Sequence, residues 1–111
     1  MGKKYFSWSK KIGGEVNMRV YISGGISGVE NYKEKFNAAQ MELEQNGNEV
    51  INPAFYGETL PKLMYEEYMR IGLNFIDMCD AVYMLKGWQK SCGANREYGY
   101  ALASDKMIIQ E

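Results

Sequence analysis

The residues of this chain best suited to chemistry lie in two short stretches. One is "SCGANREYGYALA", residues 91–103, which holds Ser91, Gly93 and a lone carboxylate, Glu97. The other is "YISGGIS", residues 21–27, with Tyr21, Ser23, Gly24, Gly25 and Ser27. A carboxylate near the start of a helix meets the partial positive charge of unpaired amides, worth ~0.3–1 kcal/mol to its ionised form. That setting lowers the pKa and suits a nucleophile that must stay charged. Acidic residues also favour helix starts with no chemistry attached, so residue type alone leaves both readings open. In the second stretch, glycines let a ligand approach the backbone, and a helix start beyond them favours an anion. The pattern is neither a Walker loop, lacking GK[ST], nor a GxGxxG turn. A tight strand-to-helix turn explains the same glycines without a ligand.

What positions these residues is an alternation of strands and helices. "RVYIS" (19–23) reads as a strand ended by Gly24-Gly25. Residues 30–46 repeat Tyr32, Phe36, Ala39 and Leu43 at helical spacing and stop at Asn46-Gly47. "NEVIN" (48–52) is a short strand before Pro53, and residues 54–61 read as loop. A helix over 63–78, a strand over 80–85, a helix over 93–104 and a strand over 106–110 complete the chain. The order β-α-β-α-β-α-β demands right-handed parallel crossovers. The expectation is an α/β three-layer sandwich, flavodoxin- or Rossmann-like. Its parallel sheet would have four or five strands, four of them in the order 2-1-3-4. Ligands bind such sheets beyond the carboxyl ends of the strands, where the order reverses. That brings loop 23–28 against loop 86–93.

With 111 residues, a single domain is expected over 18–111. Residues 1–17 are lysine-rich and without period. They read either as a flexible extension or as translated leader, with Met18 the natural start. A net charge of −1 without a basic block points away from nucleic acid. No apolar run approaches the ~20 residues of a membrane helix, so no membrane partner is expected. Cys79 and Cys92 do not form a CxxC pair and suit a reducing cytoplasm. Histidine is absent, which removes the commonest general base and metal ligand; neither metal nor cofactor is called for.

The stretches "YISGGIS", "CDAVYMLKGW" and "SCGANREYGYALA" together resemble the nucleoside 2-deoxyribosyltransferase superfamily. The nearest branch is the small DUF4406 type, often carried by phages and prophages; the 2′-deoxynucleoside 5′-phosphate N-hydrolases are related. The most specific part is S-x-G-x-x-x-E-x-G-x-A, met by Ser91, Gly93, Glu97, Gly99 and Ala101. The resemblance implies binding of a nucleotide or nucleoside, with Glu97 attacking C1′ of the sugar and expelling the base. It assigns Tyr21 to the catalytic group. Ser23, Gly24, Gly25, Ser27 and Ser91 fall at the sugar-phosphate end. It also implies a homodimer or higher homo-oligomer. One departure stands out. The enzymes carry an aspartate about two helical turns before the residue matched by Asp80, and here that position is Gly72. Restoring an aspartate at Gly72 is therefore an obvious way to seek activity. Asn74, Glu66 and Glu67 would stand in only through a shifted register. Binding without turnover, as in a nucleotide sensor, a sponge or an accessory interaction module, is the alternative.

Other residues carry two readings. Trp88 in the second loop suits stacking on a base or a subunit contact. Asp77 and Asp80 suit a carboxylate pair or, more simply, the turn between helix and strand. Asn52-Pro53 ends a strand beside the crevice. The methionines fit flexible core filler. Tyr65, Tyr68, Tyr98 and Tyr100 fit packing, and with Phe75 some of them offer apolar surface for self-association.

Overall fold

The computed structural model describes residues 18–111, so both readings of residues 1–17 lie outside the described residues. Four strands, β1 (Arg19–Ser23), β2 (Glu49–Ile51), β3 (Ala81–Met84) and β4 (Met107–Gln110), form one sheet in the order β2-β1-β3-β4. Every pairing is parallel, with Tyr21 between Ile51 and Val82. The helices are α1 (Tyr32–Gln45), a four-residue α2 (Tyr56–Thr59), α3 (Tyr65–Asp77) and α4 (Cys92–Ala103). The chain is thus the three-layer α/β sandwich expected, with four strands. None of the described helices is long and apolar enough to cross a membrane.

Strand periodicity decides which side chains meet the site. Neighbouring residues of a strand point to opposite faces. Val20 and Ile22 of β1 face α1 and pack with Phe36, Ala39 and Leu43. Tyr21 faces the other way, into the layer of α3 and α4, with Ile76, Val82, Ala94 and Ala101. Ser23, two residues on, shares the side of Tyr21 and is fully buried. Both faces of β1 are covered, which is why "RVYIS" shows a continuous apolar run rather than alternation.

Where β1 leaves the sheet, Gly24 lies against β3's end. A side chain there would meet Leu85 Cδ1 at 2.7 Å and Leu85 Cβ at 2.9 Å. Close packing therefore explains that glycine. Gly28 has φ of 77°, a left-handed conformation that glycine adopts freely. Helix α1 starts only at Tyr32, so the chain between is a longer loop than the sequence implied.

The stretch 54–61 holds more structure than a loop. Asn52 caps a 3-10 turn over Pro53–Phe55, its Oδ1 accepting from the Ala54 amide at 2.9 Å. Its side-chain amide donates to Asn37 and Gln40 of α1, so Asn52 is a structural strap. The methionines are not uniformly core filler: Met18, Met69 and Met84 are buried, while Met41, Met64 and Met78 are exposed.

Candidate active site around Glu97

Glu97 is the one buried carboxylate among the described residues, 8% exposed. It projects from α4 toward β1. Its Oε2 accepts from the Tyr21 hydroxyl at 2.8 Å, and its Oε1 accepts from Ser23 Oγ at 2.6 Å. Three facts of sequence produce this. The two-residue strand period places Tyr21 and Ser23 on one face. The parallel crossover carries α4 over that face. The N-cap Ser91, whose Oγ accepts from the Ala94 amide at 3.1 Å, sets where α4 begins.

The electrostatics of Glu97 differ from the sequence expectation. Helix α4 starts at Cys92, which places Glu97 past the first turn, where the helix-end field has faded. Burial wins. It pushes the Glu97 carboxyl above the ordinary carboxylate range, and the hydrogen bonds from Ser23 and Tyr21 offset only part of that. Burial, with the Glu97 charge second, also holds Tyr21 well above the ordinary phenol range. Tyr21 is therefore a neutral donor at any physiological pH. Together the three side chains form an oriented carboxylate with both oxygens held and lone pairs to spare.

Gly72 of α3 closes the site from the third side. A Cβ at that position would lie 2.6 Å from Glu97 Oε2 and 2.8 Å from the Tyr21 oxygen. The glycine thus makes room for the Tyr21–Glu97 pair. An aspartate introduced there has no space while that pair is intact, so it would displace the carboxylate rather than assist it. The candidates for a shifted register are also spent elsewhere. Glu66 pairs with Arg96 through two contacts, 2.9 and 3.2 Å, and Glu67 Oε1 accepts from the Met64 amide at the start of α3. Asn74 is exposed on α3.

The remaining residues singled out in the sequence fall into two groups. Gly25 stands beside Ser91, where a Cβ would lie 3.7 Å from that of Ser91, so the two loops do adjoin. Gly93 faces Met69, the Tyr65 hydroxyl and Ser91 Oγ. Ser91, Gly24, Gly25 and Gly93 are half-buried and Ser27 is exposed along this same edge. Trp88 does not offer an open stacking face. It is buried, its ring centroid 4.6 Å from that of Tyr98, and its indole N–H donates to Gln110 Oε1 at 3.1 Å. Asp77 and Asp80 do not pair: Asp77 accepts from the Tyr100 hydroxyl, and Asp80 accepts from the Arg19 amide. No group of three or more His, Cys, Asp or Glu among the described residues could hold a metal ion.

Sequence reasoning missed Tyr56. Its ring stacks with Tyr68 and Phe75, at centroid distances of 6.3 and 6.1 Å. Its hydroxyl oxygen is buried beside that of Tyr21, and the two phenols influence each other's ionisation. An aromatic just past the carboxyl end of β2 was the available signal. A shallow depression of about 320 Å³ lies at the opposite, amino-terminal edge of the sheet, lined by Met18, Arg19, Glu49, Met78 and Asp80. The Arg19–Glu49 ion pair at 2.9 Å occupies its rim.

Residues 18–110 match the family model described as "Domain of unknown function (DUF4406)", and the chain belongs to that family. No curated protein matches it.

Two outcomes follow for stability. Alanine in place of a mid-helix glycine ordinarily stabilises by about 1 kcal/mol. Gly72→Ala is expected to do the reverse, destabilising by roughly 1–3 kcal/mol through overpacking against the Tyr21–Glu97 pair. Urea unfolding measures the sign; a stabilised variant means that the pair yields freely. The second concerns pH. With its folded pKa raised, Glu97 holds its proton in the folded chain over a window where the unfolded chain, near 4.5, has lost it. Stability from this group is therefore full below about 4.5 and declines as pH rises through the folded pKa. Glu97→Gln, which cannot ionise, should melt higher than wild type by a margin that grows from pH 4 toward pH 8. A margin constant across that range would mean that Glu97 titrates normally.

Proposed function

We propose that this DUF4406 chain binds a nucleotide or nucleoside at the carboxyl edge of its sheet and cleaves or exchanges the N-glycosidic bond. In this reading Glu97 is the nucleophile. The observation that supports it most is the burial of one carboxylate between two neutral donors, Tyr21 and Ser23, beside the loops around Gly25 and Ser91. A glutamate oxygen bonds to C1′ as the C1′–N bond breaks. The bonding pair leaves with the base, which takes up a proton. Water then attacks C1′ in hydrolysis, or a second base in exchange, and the carboxylate is released. The transition state carries positive charge on the sugar. A desolvated, fixed carboxylate stabilises that charge far better than a hydrated one. Since burial raises the Glu97 pKa, the ionised and competent fraction grows with pH.

Ser23 is committed to Glu97, so the sugar-phosphate end would fall to Gly25, Ser27, Ser91 and Gly93 on the adjoining loops. A second reading has its own observation. Gly72 supplies no carboxylate and the chain has no histidine, so among the described residues no ordinary acid is positioned to protonate the departing base. That favours binding without turnover, as a sensor, a sponge or an accessory module would need.

A homodimer belongs to the same proposal. Tyr68 and Phe75 are taken up by the stack on Tyr56. Of the seven exposed large hydrophobics among the described residues, five (Ile26, Phe55, Leu60, Met64 and Tyr65) lie on the stretches after β1 and β2 and at the start of α3, bordering the same edge, while Met41 and Met78 lie elsewhere. Light scattering at micromolar concentration should return twice the chain mass; a monomer mass removes the dimer from the proposal.

The deciding experiment is a screen of nucleosides and nucleotides for binding and for base release, run on wild type and Glu97→Gln. The variant keeps size and hydrogen-bonding capacity but loses the attacking charge. It should release no base while its affinity stays within about tenfold, ~1.4 kcal/mol. Undiminished release by the variant rejects the nucleophile. Binding by wild type without any release selects the non-catalytic reading.

A further inference from the structure

We infer that residues 55–63, with α2 at their centre, are a lid over Glu97, and that a ligand reaches the carboxylate only when Tyr56 withdraws. The inference rests on the reading of Glu97 as the reacting group and adds how access to it is controlled.

A glutamate oxygen that attacks a sugar carbon must come into contact with it. The packing around Glu97 leaves no room for that contact. Glu97 is 8% exposed, Tyr21 1% and Ser23 0%. Each Glu97 oxygen already accepts from a hydroxyl, and α3 lies so close that even a Cβ at Gly72 would collide with the pair. Some part of this cover has to move before a sugar can enter.

The parts of the cover differ in how firmly they are held. Strand β1 is central in the sheet and paired on both sides. Helix α3 buries Met69, Gly72 and Ile76, and α4 buries Ala94, Glu97 and Ala101. Moving any of these disrupts the core. The remaining piece is Tyr56. Its hydroxyl oxygen is buried against that of Tyr21, yet it belongs to a four-residue helix with no buried residue. From Phe55 to Leu63, every residue except Tyr56 and Leu63 is exposed.

The fastenings of this segment are reversible. The Tyr56 ring stacks on Tyr68 and Phe75 of α3. Glu58 pairs with Lys33 of α1 at 2.9 Å, and the Leu63 amide donates to the Tyr68 hydroxyl at 3.2 Å. The ion pair is exposed on both sides, so water competes for it. The two ends are firm by contrast. Asn52 is tied to α1, and Pro53 and Ala54 beyond it are buried. At the other end the Met64 amide donates to Glu67 Oε1, where α3 begins. A stretch with fixed ends, an exposed middle and one inward aromatic can open locally while the core stays intact. Shut, it keeps water from the carboxylate, and it can close again behind a bound ligand.

The test labels carboxylates with a water-soluble carbodiimide and glycinamide and reads each position by peptide mass. The reagent is bulky enough to report entry of a sugar. Exposed Glu34 and Glu42 serve as internal references. In wild type, Glu97 should label about tenfold or more slowly than these, because only the open fraction reacts. Tyr56→Ala removes the inward aromatic and should raise the Glu97 rate about tenfold or more, with unfolding still cooperative. Lys33→Ala keeps that aromatic and loosens only the ion pair. It should speed Glu97 labelling and hydrogen exchange of the α2 amides by one common factor, about two- to fivefold. Lys33 stands on α1, in the layer opposite that of Glu97, so a common factor ties the two events together. Should Tyr56→Ala fail to fold, the Lys33→Ala comparison decides alone. A Glu97 that labels as fast as the references, or that ignores both variants, overturns the lid and leaves the glycosidic reading standing. Labelling that follows the lid, in a protein that binds no nucleoside or nucleotide, removes the glycosidic reading and leaves the lid in place.

Discussion

Everything distinctive in this protein follows from placing one carboxylate inside a small hydrophobic layer. An ionised group in such a place is unfavourable unless it is hydrogen-bonded, and Tyr21 and Ser23 meet that need from a single strand. That requirement fixes other choices. Strand β1 must carry hydroxyls at alternate positions on one face while remaining apolar on the other. Helix α4 must be capped at Ser91 so that Glu97 arrives opposite them. Helix α3 must pass without a side chain at position 72. A sheet of four strands and three main helices therefore spends much of one layer on polar contacts, leaving Ile76, Val82, Met84, Ala94 and Ala101 to hold that layer together.

Two opposing influences act on Glu97, and their sizes decide its character. The field of a helix start is worth ~0.3–1 kcal/mol to a carboxylate in the first turn and fades beyond it. Removal from water acts on the charge wherever it lies and is larger for a group this enclosed. The outcome is a carboxyl that resists ionising, held by two donors that favour the ionised form. This balance differs from that of a surface glutamate at a helix start, which the sequence alone could not distinguish. The surface ion pairs, by contrast, do little energetically. Arg96 and Glu66 are both exposed, and such pairs contribute ~0–1 kcal/mol. Their use is geometric, since the two-pronged contact ties α4 to α3 above Glu97.

The architecture was legible because parallel sheets announce themselves through repeated strand and helix periods. "RVYIS" was bounded correctly, and the strand order and the meeting of the two glycine loops followed from topology. The motif around Glu97 was also legible, as residue types at set spacing. What escaped were properties created by packing. No local pattern in "YGET" marks a helical turn, so Tyr56 was hidden in a stretch read as loop. Trp88 looked available because loops are usually exposed, yet Tyr98 and Gln110 enclose it. Gly72 appeared only as a residue missing from a pattern. Its contacts with Tyr21 and Glu97 are long-range and have no signature in the sequence around it.

The bareness of α3 at position 72 also bears on how such a chain can change over time. With the side chains placed as they are, a Cβ at 72 would crowd both the phenol at 21 and the long acid at 97. A larger residue at 72 therefore requires the acid or the phenol to turn aside, so a change at one of the three positions is felt at the other two. Among relatives of this chain, a side chain at position 72 should therefore go with a different placement of the acid at 97 rather than with its loss.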